Sequence, residues 1–231
     1  MKVRLVSYSQ PSEEMLETYE HHLIPDLQDL VAYCARVSNP SNQLNTETTE
    51  KLLAYLIKHQ HWSPFEMVSA CLEIETTRDI ARQILRHRSF SFQEFSQRYA
   101  DPTKELSFVF REARLQDPTN RQNSIELKKT QGHMDLQELW KEKQQRVMYA
   151  AFEAYEWAIK NGIAKEQARC VLPEGNTVSK LYMNGTLRSW IHYIDLRSGH
   201  GTQLEHIEIA KACAKVINHI TPMIQRFVQH E

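Results

Sequence analysis

Arg86 to Tyr99 reads R-H-R-S-F-S-F-Q-E-F-S-Q-R-Y, and its fourteen residues set three arginines, a histidine, three serines and a glutamate among three phenylalanines. Guanidinium forks hold oxyanions, and aromatic faces pack against planar rings. The mixture suits a pocket wall for a nucleic-acid base, a nucleotide or a cofactor. A helix from Arg78 to about His87 would put Gln83 and Arg86 on one face, three residues apart. Extended chain beyond it would point Glu94, Ser96 and Arg98 to one side and Phe95 and Gln97 to the other. Arg86 and Arg98 could then close on one anion, with Ser96 donating its hydroxyl. A buried Glu94 would require an arginine partner or a ligand donor. Arg169, in A-R-C-V-L-P, and Arg197, in W-I-H-Y-I-D-L-R, stand in apolar surroundings. Each alone suits a surface ion pair, but together with the first stretch they suggest a shared planar anion.

Other chemistries find less support. Ser89, Ser91 and Ser96 lie near His87, yet there is no G-x-S-x-G elbow and no third group to orient the imidazole. His59, His61 and Glu66 lack a metal-binding spacing such as H-E-x-x-H. The six glycines form neither G-x-G-x-x-G nor a P-loop, so side chains must hold any phosphates. Such a site fits a cofactor enzyme, in which the cofactor carries the chemistry. The competing reading is an RNA-binding module that stacks bases on the phenylalanines. A net charge of −1 argues against it, because nucleic-acid binders carry a basic excess.

With 41% hydrophobic and 25% charged residues among 231, the chain reads as one globular domain, 1–231. No apolar run approaches a membrane span and no signal-peptide pattern opens the sequence, so the expected location is cytoplasmic. Cys34, Cys71, Cys170 and Cys213 are scattered and are expected to be reduced, mostly buried thiols.

The positioning elements follow from periodicity. Lys2 to Ser9 and Met67 to Thr76 alternate as strands, and Thr177 to Met183 is strand-like. Thr76 or Thr77 could cap the helix that begins at Arg78. Helical patterns cover Pro11 to Asn39 (interrupted at Pro25), Thr46 to His59, Asp135 to Lys160, a short run from Ala164, Leu187 to Leu196, and Leu204 to Ile220. The longest carries Leu136, Leu139, Trp140, Val147, Ala151, Phe152, Tyr155 and Ile159 as its apolar stripe. Residues 100–131 read as a polar excursion with short strands near Phe108 to Phe110. The expected class is α+β, with a mixed sheet flanked by helices and no Rossmann topology.

Arg86-His87-Arg88, then Ser96 after seven residues, resembles the R-H-R-x7-S motif of the flavin-dependent thymidylate synthases. Y-C-A-R-V-S at Tyr33 to Ser38, H-W-S-P-F-E at His61 to Glu66, A-R-C-V-L-P at Ala168 to Pro173 and the Leu196-Arg197 … Gln203-Leu204-Glu205 pattern extend the resemblance over nearly the whole chain. It implies reductive methylation of dUMP to dTMP, with methylenetetrahydrofolate as one-carbon donor and NADPH, via FAD, as hydride source. It also implies a homotetramer with shared active sites and no role for nucleic acid or membrane. Carried over by position, Gln83, Arg86, Glu94, Ser96, Gln97, Arg98, Arg169 and Arg197 would bind dUMP, with Arg197 catalytic. Ser63, Arg86, His87, Arg88, Glu94, Thr186, Arg188 and His192 would bind FAD. Thr186 and His192 replace residues often Asn in the family, Gly201 replaces a frequent His, and Pro11 to Leu27 looks like an added segment.

Overall fold

A computed structural model of the chain describes residues 1–18 and 26–228. The elements run β1 (Lys2–Tyr8), α1 (Glu13–Thr18), α2 (Leu27–Ala35), α3 (Thr49–Lys58), β2 (Ser69–Thr77), α4 (Arg78–Ile84) and β3 (Ser91–Glu94). There follow α5 (Pro102–Glu105), β4 (Arg114–Gln116), β5 (Ser124–Glu126), α6 (Gln131–Lys160), α7 (Lys165–Ala168), β6 (Val178–Thr186), α8 (Leu187–Ser198) and α9 (Leu204–Ile217). The class is α+β, as expected. The main sheet has the order β1-β2-β6-β3, and every pairing in it is antiparallel where a mixed sheet was expected.

The alternation of β2 decides which face is covered. Ala70, Leu72 and Ile74 are buried in the core, with Leu181 and Met183 from β6. On the opposite face Glu73 is covered by Arg4, whose Nε lies 2.8 Å from Oε1. Against the apolar face pack α8 and α9, burying Leu187, Trp190, Ile191, Tyr193 and Ile194 from the first and Ile209, Ala210, Cys213, Ala214 and Ile217 from the second. Each large apolar side chain buried there contributes about 1.5–3 kcal/mol. An exposed pair such as Arg188–Glu66 contributes about 1 kcal/mol or less, so packing, not charge, sets the pose of α8. The Tyr33–Ser38 motif is part of this scaffold: Arg36 is buried and donates to the Asn45 carbonyl and, at 2.9 Å, to Thr48 Oγ1.

Several expectations shift. The Pro25 interruption lies outside the described residues, and α3 starts only at Thr49. Thr77 occupies the N-cap of α4 but makes no capping bond; its hydroxyl donates to Asp79 Oδ1 instead. Near Phe108 there is one bridge, to Thr177, while the hairpin of the excursion is β4–β5. Of the four cysteines only Cys213 is fully buried, and all are free. In α6 the stripe splits: Ala151 and Tyr155 are buried, whereas Leu136, Leu139, Trp140 and Val147 stand exposed.

One glycine is required by packing. Gly185 on β6 pairs with Ala70, and the Phe90 ring lies directly over it. Phe90 is boxed by Trp190 at 4.8 Å and Tyr193 at 6.0 Å between ring centroids. A Cβ at position 185 would overlap Cδ1 and Cε1 of that ring. Gly185→Ala should therefore destabilise the fold by about 1–3 kcal/mol, as overpacked cores do. Urea unfolding checks this, and an unchanged midpoint would show that the ring is free to move.

Candidate active site

The Arg86-His87-Arg88 triplet follows the end of α4 as irregular chain, with both arginines exposed and His87 half-buried. Phe90 fixes its far side in the core, and Ser189 Oγ donates to the Ser89 carbonyl at 3.1 Å, tying the motif to the first turn of α8. Among the described residues, neither the Arg86 nor the Arg88 side chain has a hydrogen-bond or ion-pair partner. Of the three phenylalanines, Phe90 is buried and Phe92 and Phe95 are half-buried.

Arg197, from the last turn of α8, donates from Nε to His87 Nε2 at 2.9 Å. The imidazole must accept there, so it is neutral and protonated on Nδ1. Burial, and secondarily the charge of Arg197, hold its pKa down to about 4. Its ring packs edge-on to Tyr193 at 4.9 Å. With Nε committed, both Nη groups of Arg197 remain to meet a ligand. His206, fully buried on α9, lies 3.1 Å from the Tyr193 hydroxyl and 3.2 Å from Gln83 Oε1. Burial, then the charge of Arg197, then His87 push its pKa down to about 3. Gln83 in turn donates to Gln203 Oε1 at 2.8 Å.

The strand carrying Glu94 ends at that residue, so the expected alternation through Ser96 to Arg98 does not hold. The backbone turns instead, with the Tyr99 and Ala100 N–H groups both donating to the Ser96 carbonyl at 3.1 Å. Arg98 is thereby aimed at Glu166 on α7, with its Nη2 3.0 Å from Oε2. Arg169 donates from Nε to the Glu166 carbonyl at 3.3 Å, so these two arginines share one neighbour. Gln97 is buried, with Nε2 lacking a partner among the described residues. Glu94 does find arginines, though others than the motif's: Arg78 at 3.7 Å and Arg82 at 3.8 Å, while Ser179 donates to it at 2.8 Å. Arg78 and Arg82 were readable as an i, i+4 pair on α4 and were not singled out.

A second group gathers where α8 begins. Thr186 is its N-cap, accepting from the Ser189 N–H. Arg188 pairs with Glu66, and His192 packs edge-on to Trp62 at 4.7 Å, which brings the exposed Ser63 turn onto the same end of the helix. Burial, assisted by Arg188, lowers the His192 pKa against the pull of Asp195. Hydroxyls, an imidazole and guanidiniums around the Arg86–Arg88 turn form a donor set suited to a diphosphate-bearing cofactor, supplied by side chains as the scarcity of glycine requires. A cleft of about 410 Å³ is lined by Gln203, the partner of Gln83, with Glu205, Asp79, Arg111 and Trp140 among others.

A family model described as thymidylate synthase complementing protein matches residues 17–223. The chain is 45% identical over 226 residues to a probable flavin-dependent thymidylate synthase of Paramecium bursaria Chlorella virus 1, covering 98% of each. A flavin-dependent thymidylate synthase of Synechocystis sp. is 49% identical over 220 residues, or 94% of each chain. Among solved structures, a UMP/dUMP methylase from Streptomyces cacaoi bound with 5-Br dUMP matches with a TM-score of 0.76. It is 25% identical, over 98% of this chain and 93% of that one.

The buried imidazoles give the molecule a pH signature. Both ordinarily titrate near 6.5, and the fold holds them neutral to about 4 and about 3. Below 6.5 the unfolded chain therefore binds protons that the folded chain refuses, so stability is full above that pH and lost as it falls. The urea midpoint should be flat above about pH 6.5 and decline below it, with a slope of up to about two protons. A midpoint level down to the carboxylate range would remove the buried neutral pair.

Proposed function

The chain belongs to the flavin-dependent thymidylate synthase family, and from that we propose that it methylates dUMP reductively to dTMP. FAD is its cofactor, methylenetetrahydrofolate its one-carbon donor and NADPH its reductant. The observation that carries the reading is Arg197, fixed through Nε on a neutral imidazole with its fork left open. For its C5 to attack the one-carbon donor, the pyrimidine must first carry negative charge on the ring. A fixed guanidinium stabilises that charge more than it stabilises the neutral substrate, which makes Arg197 the catalytic residue.

In this reading Gln83, Arg86, Glu94, Ser96, Gln97, Arg98, Arg169 and Arg197 bind dUMP. Glu166 holds Arg98 on its carboxylate and Arg169 on its backbone carbonyl, and an incoming phosphate that displaces the carboxylate meets two guanidiniums. The orphaned Gln97 Nε2 fits a donor whose acceptor comes from outside the chain. FAD is held by Ser63, Arg86, His87, Arg88, Glu94, Thr186, Arg188 and His192. The open guanidiniums of Arg86 and Arg88 suit its diphosphate, whereas His87 and Glu94 are engaged within the protein and act by shaping the wall. The flavin supplies hydride transfer, which no amino-acid side chain offers.

We assign residues 1–231 to one catalytic domain, working as a homotetramer in the reducing cytoplasm where unpaired cysteines persist. What supports assembly is the exposed row Leu136, Leu139, Trp140 and Val147, which a second copy would cover.

Purified protein should be yellow and form dTMP from dUMP, methylenetetrahydrofolate and NADPH; absence of product with FAD present would defeat the reading. Arg197→Lys should retain FAD and assembly but lose about 10²–10³ in turnover, because one ammonium cannot hold His87 and also present a fork. Unchanged turnover would take Arg197 out of the chemistry. Leu139→Glu should shift sedimentation towards smaller species, and an unaltered profile would place the interface elsewhere.

A further inference from the structure

We infer that Glu205, Arg111 and Arg114 are positioning residues for the nucleotide, acting through a one-way chain of hydrogen bonds that ends on Gln83. The inference rests on the reading of Gln83 as a dUMP ligand.

The direction starts at Glu205. Its carboxylate accepts from Arg114 Nη2 at 3.0 Å and from Gln203 Nε2 at 2.9 Å, and forms ion pairs with Arg114 Nη2 at 2.8 Å and Arg111 Nη1 at 3.1 Å. An ionised carboxylate only accepts, so Gln203 must turn its amino group to it and its carbonyl to Gln83. Gln83 then spends one N–H on that carbonyl at 2.8 Å, and its own Oε1 accepts from His206 Nδ1 at 3.2 Å. His206, protonated on Nδ1, accepts at Nε2 from the Tyr193 hydroxyl at 3.1 Å. Reversing either glutamine would set carbonyl against carbonyl, or amino group against amino group, in a largely buried chain.

Gln83 therefore offers a ligand one N–H and one carbonyl lone pair whose places cannot exchange. Burial alone would raise the Glu205 pKa, but bonds from Arg114, its own backbone N–H and Gln203, with the charge of Arg111, bring it to about 2. The anchor thus stays charged throughout the working pH range. Arg111 is itself riveted. Its Nη2 donates to Asp79 at 2.7 and 2.8 Å and to Thr77 Oγ1 at 2.7 Å, and its Nε donates to the Gly175 carbonyl at 3.0 Å. Through this arginine the polar excursion reaches the nucleotide site without supplying any of its proposed ligands.

Calorimetric titration of dUMP into the FAD-loaded protein tests this with four forms: wild type, Glu205→Gln, Gln83→Ala and the double variant. Glu205→Gln should weaken dUMP binding about tenfold with FAD content unchanged. In the Gln83→Ala background the same change should cost no more than about twofold, because the link it acts through is gone. Gln203→Leu, which leaves Glu205 paired to both arginines, should reproduce the tenfold loss, and it serves as the test if Glu205→Gln fails to fold. Wild-type affinity in these variants, or losses that multiply in the double variant, would overturn the inference. A wild-type protein that binds no dUMP would overturn it together with the function, and would do so before any variant is compared.

Discussion

The site depends on a neutral imidazole placed beside a positive charge. His87 cannot take up a proton while it sits half-buried against Tyr193 with Arg197 bonded to its Nε2. Because it stays neutral it can accept, and because it accepts, Arg197 has a fixed direction. The same exclusion of water keeps His206 neutral behind it, and Tyr193 packs against both rings. None of this survives unless α8 and α9 press on the sheet. The electrostatics proposed for Arg197 are thus a by-product of ordinary core packing: the apolar side chains buried between α8, α9 and the sheet make the low dielectric behind it.

Much of that scheme was legible in the residues. The alternation of β2, the helical stripes of α8 and α9, and the density of arginine around position 86 all express short-range rules that the fold respects. The failures have physical causes. Glu94, Ser96 and Arg98 alternate in type, but the strand stops when Tyr99 and Ala100 bond back to Ser96, and type alone does not show where a ladder ends. The stripe on α6 is genuine, yet periodicity identifies an apolar face without saying whether the cover comes from the same chain. Glu94 was expected to require an arginine and has two, but from α4 and not from the motif, because pairing is settled by tertiary proximity. His206, Gln203 and Glu205 become a unit only in space, a hundred residues and more from Gln83.

Gathering guanidiniums for the proposed phosphate sites has a structural cost that a glycine loop avoids. Guanidiniums without ligand repel one another and must be neutralised or left in water. Both solutions are present: Arg86 and Arg88 are exposed, while Arg98, Arg78 and Arg82 lean on Glu166, Glu94 and Glu174. These carboxylates are the groups that an anion binding the same guanidiniums would displace. Under the proposed function, affinity for the nucleotide is therefore a difference between two sets of ion pairs.

The stacking of Phe90 on Gly185 reaches beyond stability into how this sequence can drift. Alanine at 185 is a single-base change from glycine, yet it meets the ring. A smaller residue at 90 would relieve that contact, but taken first it leaves a cavity beside Trp190. Either step alone is harmful and the pair together need not be, so the two positions are bound by reciprocal sign epistasis. Lineages are held to one combination unless a third change widens the box, and the motif strand inherits its immobility from a residue that carries no chemistry.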